Sequence, residues 1–151
     1  SKIVGEELCR RSKIETCAMR FFNVYGPGQS SEGGFAAVIP ALKKAISLGK
    51  ECTIFGDGTQ VRDFIHVNDL VQIISLCLEA IDLPQEINVA SGEGTSLLSL
   101  IETLNELNPS MLPPVFSEER AGDIHTSVAD ISRLLSTLPL TELVTLQEGL
   151  S

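Results

Sequence analysis

Basic residues are in short supply: 11 Lys and Arg stand against 20 Asp and Glu, for a net charge of −9 and an isoelectric point near 4.6. A chain of that sign repels nucleic-acid phosphates and anionic lipid, so neither is the partner its surface selects. An anionic ligand would need a few well-placed arginines to outweigh that background. Long apolar runs are missing too. "LVQIISLCLEAI" is too short to cross a bilayer and carries Gln72 and Glu79. No secretory leader, internal repeat or low-complexity linker is evident. There is no C-x-x-C pair: Cys9, Cys17, Cys52 and Cys77 lie far apart, the last three among apolar neighbours. That excludes a zinc or disulfide scaffold and implies reduced, mostly buried thiols and a cytoplasmic location. The 12 Gly and 7 Pro follow no fixed period, and 43% of the residues are hydrophobic, which excludes collagen-like and disordered chains.

What remains is a 151-residue chain long enough for one globular core, with a mean hydropathy of +0.20. It opens "SKIVGEELCRR", without Met and within an amphipathic pattern that predicts a helix from Lys2 to about Lys13, Val4 and Leu8 one turn apart. "TCAMRFFNV" is strand-like and leads into the loop "YGPGQSSEGG". "GFAAVIPALKKAISLGK" reads as a helix ended by Gly49. In "ECTIFGDGTQVRDFIHV" two strand-like runs flank Asp57-Gly58, which predicts a hairpin. Alternation there places Val61, Ile65 and Val67 on one face and Arg62, Phe64 and His66 on the other.

Asn68 or Asp69 is the expected cap of the next helix, which is apolar nearly all round and so needs cover on more than one side. "EINVAS" reads as a buried strand. Thr95 or Ser96 then caps a helix with Leu97, Leu100, Ile101 and Leu104 on one stripe, closed by Asn108-Pro109. "PVFSEERAGDI" is extended and polar, and "ADISRLLSTL" is a short helix with Ile131, Leu134, Leu135 and Leu138 on one side. Thr145 and Glu148 form a capping box that starts a last helix of roughly two turns. Helices alternate with strands throughout, so the class is α/β.

Five motifs in order carry a sharper reading: Ser1-Lys2, "RFFNVYGPGQ", "TIFGDGTQVRDFIHVNDL", "NVASGEG" and "RAGDIHTSVADIS". Together they resemble the carboxyl-terminal half of the extended short-chain dehydrogenase/reductases, in particular the NAD-dependent sugar-nucleotide epimerases and dehydratases, over essentially the whole chain. The resemblance implies the carboxyl-terminal part of a Rossmann-type doubly wound sheet plus a small mixed α/β substrate-binding domain. On this view 1–151 is one half of such an enzyme, with the last Rossmann elements, 1–25 and about 69–91, interleaved.

By the resemblance, Lys2 is catalytic and cofactor-binding. It ends a Tyr-x-x-Ser-Lys motif in which the ammonium lowers the pKa of a tyrosine four residues earlier, on the same helical face, and also meets the nicotinamide ribose. Asn23 would donate to a substrate phosphate, and the backbone near Val24 would meet the nicotinamide. Arg62 and Arg120 would grip the diphosphate with planar guanidinium donors, and Asp123 would accept from ribose hydroxyls. Ile54 and Phe55 would line the base pocket. Residues alone also allow plainer roles. Lys2 could be an exposed lysine and Asn23 a turn stabiliser; Arg62 could pair with Asp63 or Asp57, and Ile54 and Phe55 could be ordinary hairpin core. His66 is read as structural, and His125 is assigned no role.

The chain departs from the family pattern where Ala37 stands in place of an Asn that some epimerases turn toward substrate. It also has no G-x-G-x-x-G, "GEGTS" being no substitute. The implied function is an NAD-dependent UDP-sugar 4-epimerase-like enzyme, represented here by its substrate-binding half and inactive alone. A sugar-nucleotide 4,6-dehydratase and a non-catalytic nucleotide-sugar-binding module are the alternatives. NAD would be bound mainly by the other half, the partner would be a nucleotide-sugar, and a homodimer is compatible.

Overall fold

A computed structural model of the chain describes residues 2–31 and 37–151. Ser1 of the Ser-Lys pair and the first residues of the "GFAAVIP" helix lie outside the described residues. Helix α1 (Lys2–Arg10) ends before the expected Lys13, where Ser12 N–H bonds the Cys9 carbonyl in a tighter turn. It buries none of its residues. The extended segment that follows is two strands, β1 (Ala18–Phe21) and β2 (Asn23–Tyr25). They part at Phe22, whose N–H donates to Val89 and whose carbonyl accepts from Val24.

Helix α2 (Val38–Ser47) turns Ile39 and Leu42 inward and leads to β3 (Thr53–Phe55) and β4 (Val61–His66). Then come α3 (Val67–Glu79), β5 (Glu86–Val89), β6 (Gly94–Ser96) and α4 (Leu97–Leu107). The remainder is β7 (Val115–Ser117), β8 (Thr126–Ser127), α5 (Ser132–Thr137) and α6 (Leu146–Leu150). The α/β class stands, with parallel pairing dominant. Among the described residues no helix is long and apolar enough to cross a membrane.

β4 is the centre of the topology. It pairs in parallel with β2 and β8 and antiparallel with β6. β1 pairs in parallel with β5, and β3 in parallel with β7. The expected hairpin does not form: β3 finds its partner some sixty residues later, in β7. Asp57-Gly58 does turn the chain, and Asp57 Oδ1 accepts from the Thr59 N–H (2.9 Å) and hydroxyl (2.6 Å). Gly58 has φ +80°, and a Cβ there would meet Leu98 at 2.8 Å, so the turn is pressed onto α4 and the two strands diverge.

Alternation along β4 holds to His66, while Val67 already belongs to α3. Both faces of the strand are covered. Phe64 enters one core with Tyr25, Ile39, Leu42, Ile54 and the α4 stripe Leu97, Leu100, Ile101 and Leu104. Ile65 enters a second core with Ile73, Cys77, Ile87, Val89, Leu134 and Leu138. Each buried Leu or Ile contributes roughly 1.5–3 kcal/mol. Two expectations yield to this packing. Leu135 leaves the α5 stripe and is 57% exposed, and α3 is covered along Ile73 and Cys77 while Val71 and Leu78 face outward. All four cysteines are free, Cys52 and Cys77 buried, Cys17 half-buried and Cys9 exposed.

Helix starts follow local chemistry in two cases of three. Ser96 caps α4 by accepting from Ser99 N–H at 3.0 Å, and the Thr145–Glu148 capping box opens α6. For α3 the cap is His66, not Asn68 or Asp69: imidazole Nδ1 accepts from Asn68 N–H at 3.3 Å. Asp69 is displaced into the first turn and buried, where its Oδ2 accepts from Val144 N–H at 3.1 Å.

Candidate functional site

A cleft of about 270 Å³ opens between the start of β2, β3, β4, the α2 face and the 120–123 turn. Asn23, Ile54, Phe55, Arg62, Arg120 and Asp123 all line it, with Gln60, Leu42 and Leu97 completing the walls. Its floor is apolar because Ile54 is buried against Leu42 in the first core. Gln60 Nε2 donates to the Phe55 carbonyl at 2.6 Å, which holds the β3 end against the start of β4.

Three polar arrangements shape the mouth. Asn23 Nδ2 donates across the β2–β4 pair to the Asp63 carbonyl at 2.8 Å, so Asn23 braces the neighbouring strand and not its own turn. Arg62 Nη2 contacts Asp123 Oδ1 at 2.5 Å, while its Nη1 donates to the Val61 carbonyl at 2.9 Å and reaches the His125 carbonyl at 3.5 Å. Its partner is thus neither Asp63 nor Asp57. Arg120 lies over the Phe55 ring, its guanidinium carbon 3.9 Å from the centroid, a cation–π contact. Asp123 and Arg120 are joined by a four-residue turn closed by Asp123 N–H on the Arg120 carbonyl (3.1 Å), with Gly122 at φ +80° in the position that requires it.

Two residues that sequence reasoning passed over hold this frame. The Asp63 carboxylate is fully buried and accepts from Ser91 N–H (2.9 Å), Ser91 hydroxyl (2.7 Å), Gly92 N–H (3.0 Å) and Ala129 N–H (3.2 Å). It therefore ties the turn after β5 and the segment after β8 to the strand that carries Arg62. The available signal was an acid inside a strand otherwise buried on both faces. His125, given no role from sequence, joins Thr59 (Nε2 to Oγ1, 3.2 Å) and Thr126 (Nδ1 to Oγ1, 3.2 Å). Because the Thr59 hydroxyl donates to Asp57, the Thr59 contact calls for the Nε2–H tautomer. The two bonds from Thr59 hold the Asp57 carboxyl below its usual range.

Two expected residues stand apart. Lys2 is exposed on α1 and does not line the cleft. The side chain of Val24 packs on the second core; its N–H bonds the Phe22 carbonyl (3.0 Å), and its carbonyl accepts from Gln29 Nε2 (2.9 Å).

A wider cavity of about 890 Å³ lies at the carboxyl ends of β2 and β4, bordered by Tyr25, His66, Lys43, Lys44 and Glu148. Tyr25 is buried, edge-on to His66 with centroids 5.3 Å apart. Burial, reinforced by the negative Asp69 and Glu148, pushes its phenol up to about 12. Burial likewise raises the Asp69 carboxyl. A third hollow of about 520 Å³ runs past Cys9, Cys17 and Cys77, and burial raises the thiols of the last two. Among the described residues no group of side chains is arranged to hold a metal ion. Of the three hollows, the smallest is the one that sets two guanidinium groups and an acid over an apolar floor, the arrangement suited to an anion attached to a flat apolar group.

Comparison with known proteins gives the family. The model of the NAD dependent epimerase/dehydratase family matches residues 1–90. An uncharacterized UDP-glucose epimerase of Bacillus subtilis (strain 168) is 33% identical across 100% of this chain and 48% of its own length. A UDP-glucose 4-epimerase of Thermotoga maritima, solved with UDP-glucose, superposes with a TM-score of 0.88 at 32% identity, over 99% of this chain and 48% of that one. The UDP-glucuronic acid 4-epimerase of Bacillus cereus, solved with UDP-glucuronic acid and NAD, gives 0.85 at 32% identity over 99% and 48%. The chain spans about half the length of the relatives it matches.

Proposed function

Because the chain belongs to the NAD-dependent epimerase/dehydratase family, we propose that its 270 Å³ cleft receives the nucleoside diphosphate of a UDP-sugar and that the protein is a UDP-sugar 4-epimerase-like enzyme. One observation carries the reading. Asn23, Ile54 and Phe55, Arg62, and the Arg120–Asp123 turn come from four separate stretches of chain and line one cleft. In this assignment Arg62 and Arg120 neutralise the diphosphate, and Asn23 adds an uncharged donor. Asp123 accepts from ribose hydroxyls, and Ile54 and Phe55 flank the pyrimidine. Segments 1–25 and about 69–91 are read as the last Rossmann elements.

NAD, the cofactor the family implies, does not find a self-contained site in these residues. The sequence contains no G-x-G-x-x-G motif of the dinucleotide cradle, and both backbone groups of Val24 are bonded within the chain. Lys2 and the backbone near Val24, where the Val24 carbonyl keeps a second lone pair beside its bond from Gln29, are the two places where the chain would meet the cofactor. The work assigned to the chain itself is to bind and orient the nucleotide-sugar, and alone it is inactive in this reading.

The test uses the product of the complete reading frame with UDP-glucose, following UDP-galactose by chromatography; a 4-keto-6-deoxy product would indicate a dehydratase instead. Arg62→Ala and Arg120→Ala should each raise KM, with about 1.5–3 kcal/mol of charged hydrogen bonding lost, roughly 10- to 150-fold in kcat/KM. Unchanged kinetics in both variants would return the two arginines to purely structural roles and overturn the assignment of the cleft.

A further inference from the structure

The Arg62 side chain is only 17% exposed, and its cationic head lies against a carboxylate that is itself 30% exposed. A half-sunk guanidinium needs a counter-charge, and Asp123 supplies it at 2.5 Å. The turn closed between Arg120 and Asp123 fixes that carboxylate beside the cleft mouth, 61 residues away in sequence from its partner. Arg120 is held differently, over the Phe55 ring, and no carboxylate faces it in an ion pair among the described residues. The two arginines of one cleft are thus in unequal states: one neutralised, the other resting on an aromatic face.

From this inequality we propose that Asp123 is a displaceable counter-ion to Arg62, so that the cleft rejects a bare diphosphate and accepts one carried by a hydroxyl-bearing sugar. The proposal rests on the reading of the cleft as a nucleotide-sugar site. A diphosphate approaching Arg62 meets the Asp123 charge within the same few ångströms, and like charges at that separation repel by several RT even with surface screening. For the anion to take the guanidinium, the carboxylate must give up its charged donor. Fully ionised inorganic pyrophosphate, which carries no O–H, returns nothing to that oxygen. A sugar hydroxyl beside the diphosphate does, because it donates to the freed carboxylate and restores what the displacement removed. The negative charge that weakens the site for phosphate alone is in this way converted into selection for a phosphate attached to a polyol. With a net charge of −9 on the chain, the two arginines are a scarce resource, and such a filter keeps free phosphate and pyrophosphate from occupying them.

The experiment is calorimetric titration of the complete gene product with inorganic pyrophosphate and, separately, with UDP, in magnesium-free buffer at one ionic strength. Wild type, Asp123→Asn, Arg62→Gln and the double variant are compared, with thermal melts to establish that each is folded. Pyrophosphate should bind Asp123→Asn at least about tenfold more tightly than wild type. UDP should gain much less or lose affinity, because its ribose exchanges a carboxylate for a weaker, uncharged acceptor. In the Arg62→Gln background the pyrophosphate gain should vanish. Asp123→Ser, also uncharged, should reproduce the gain and serves if the Asn variant is unstable. Equal pyrophosphate affinity in wild type and both Asp123 variants overturns the proposal, as does a gain that persists without Arg62, which would mean diffuse charge only. If UDP binds wild type while pyrophosphate ignores the substitution, the counter-ion role falls and the nucleotide-sugar reading stands. If the pyrophosphate pattern appears and UDP does not bind, the reading of the ligand falls and the ion-pair gate stands.

Discussion

At the scale of single residues, Asp63 shows how much one buried acid can organise. Its carboxylate accepts from three backbone N–H groups and one hydroxyl, from two segments that would otherwise have unpaired donors beneath the surface. Each donor left unsatisfied costs about 1–3 kcal/mol. Asp63→Ala is therefore expected to lower the urea-unfolding free energy by about 3 kcal/mol or more. Asp63→Asn should fall in between, because the amide keeps one acceptor but turns an NH₂ toward Gly92 and Ala129. A loss below about 1 kcal/mol for the Ala variant would show that the network relaxes onto water. Arg62, Arg120 and Asp123 were singled out through the family resemblance of their motifs, and they line one cleft. Their pairing was not legible in the sequence: the nearest acids in sequence to Arg62 are Asp63 and Asp57, yet Asp63 points into the interior and Asp57 is engaged by Thr59.

At the scale of elements, what was local was readable. The caps at Ser96 and Thr145 depend on a side chain bonding an N–H three residues on, and both are where the pattern places them. The α4 stripe is buried as its period requires. The His66 cap escaped notice because imidazole is an uncommon cap, and because two usual cap residues, Asn68 and Asp69, stand just beyond it and drew the expectation to themselves. The missing hairpin has a different origin. A turn dipeptide sets where the chain bends, but which edge a strand joins depends on partners far away.

Helix α6 supplies the test at this level. Replacing Gly by Ala within a helix normally stabilises it by roughly 0.5–1 kcal/mol. At Gly149, however, a Cβ would lie 2.3 Å from Tyr25 Oη and 3.0 Å from the His66 ring. Gly149→Ala is expected to destabilise by about 1–3 kcal/mol, with Tm falling and the Tyr25 hydroxyl losing the Thr145 carbonyl it meets at 3.5 Å. Gly5→Ala on α1, where nothing lies within 4 Å, should leave Tm unchanged or raise it. If both substitutions behave alike, the close packing of α6 on Tyr25 is wrong.

At the scale of the molecule, β4 divides the interior. Phe64 and Ile65 are adjacent in sequence but face different cores, one shared with α4 and α6 and the other with α3 and α5. Phe64→Ala should cost about 3–5 kcal/mol and Ile65→Ala about 2–5 kcal/mol. Native-state hydrogen exchange should separate them: Phe64→Ala deprotects α4 and α6 first, Ile65→Ala deprotects α3 and α5 first. The same set of amides deprotected by both would mean one cooperative core. Outside these cores, α1 exposes Ile3, Val4 and Leu8, and the α3 side exposes Val71, Leu78 and Ile81. The all-round apolar pattern of α3 was a true reading of the residues, yet only one of its faces is covered within this chain.

The sequence by itself determined the alternation of helices and strands, the main apolar stripes and two of the three caps discussed. Those depend on periods of two and 3.6 and on hydrogen bonds spanning three or four residues, all written within a short window. Only the tertiary structure decided that β3 joins β7, that Asp63 anchors two loops, and that Arg62 faces Asp123 while Arg120 lies on Phe55. Each of those contacts joins residues tens of positions apart. Their partners are chosen by which buried donors and charges are left after the cores have packed, and no local pattern records that remainder.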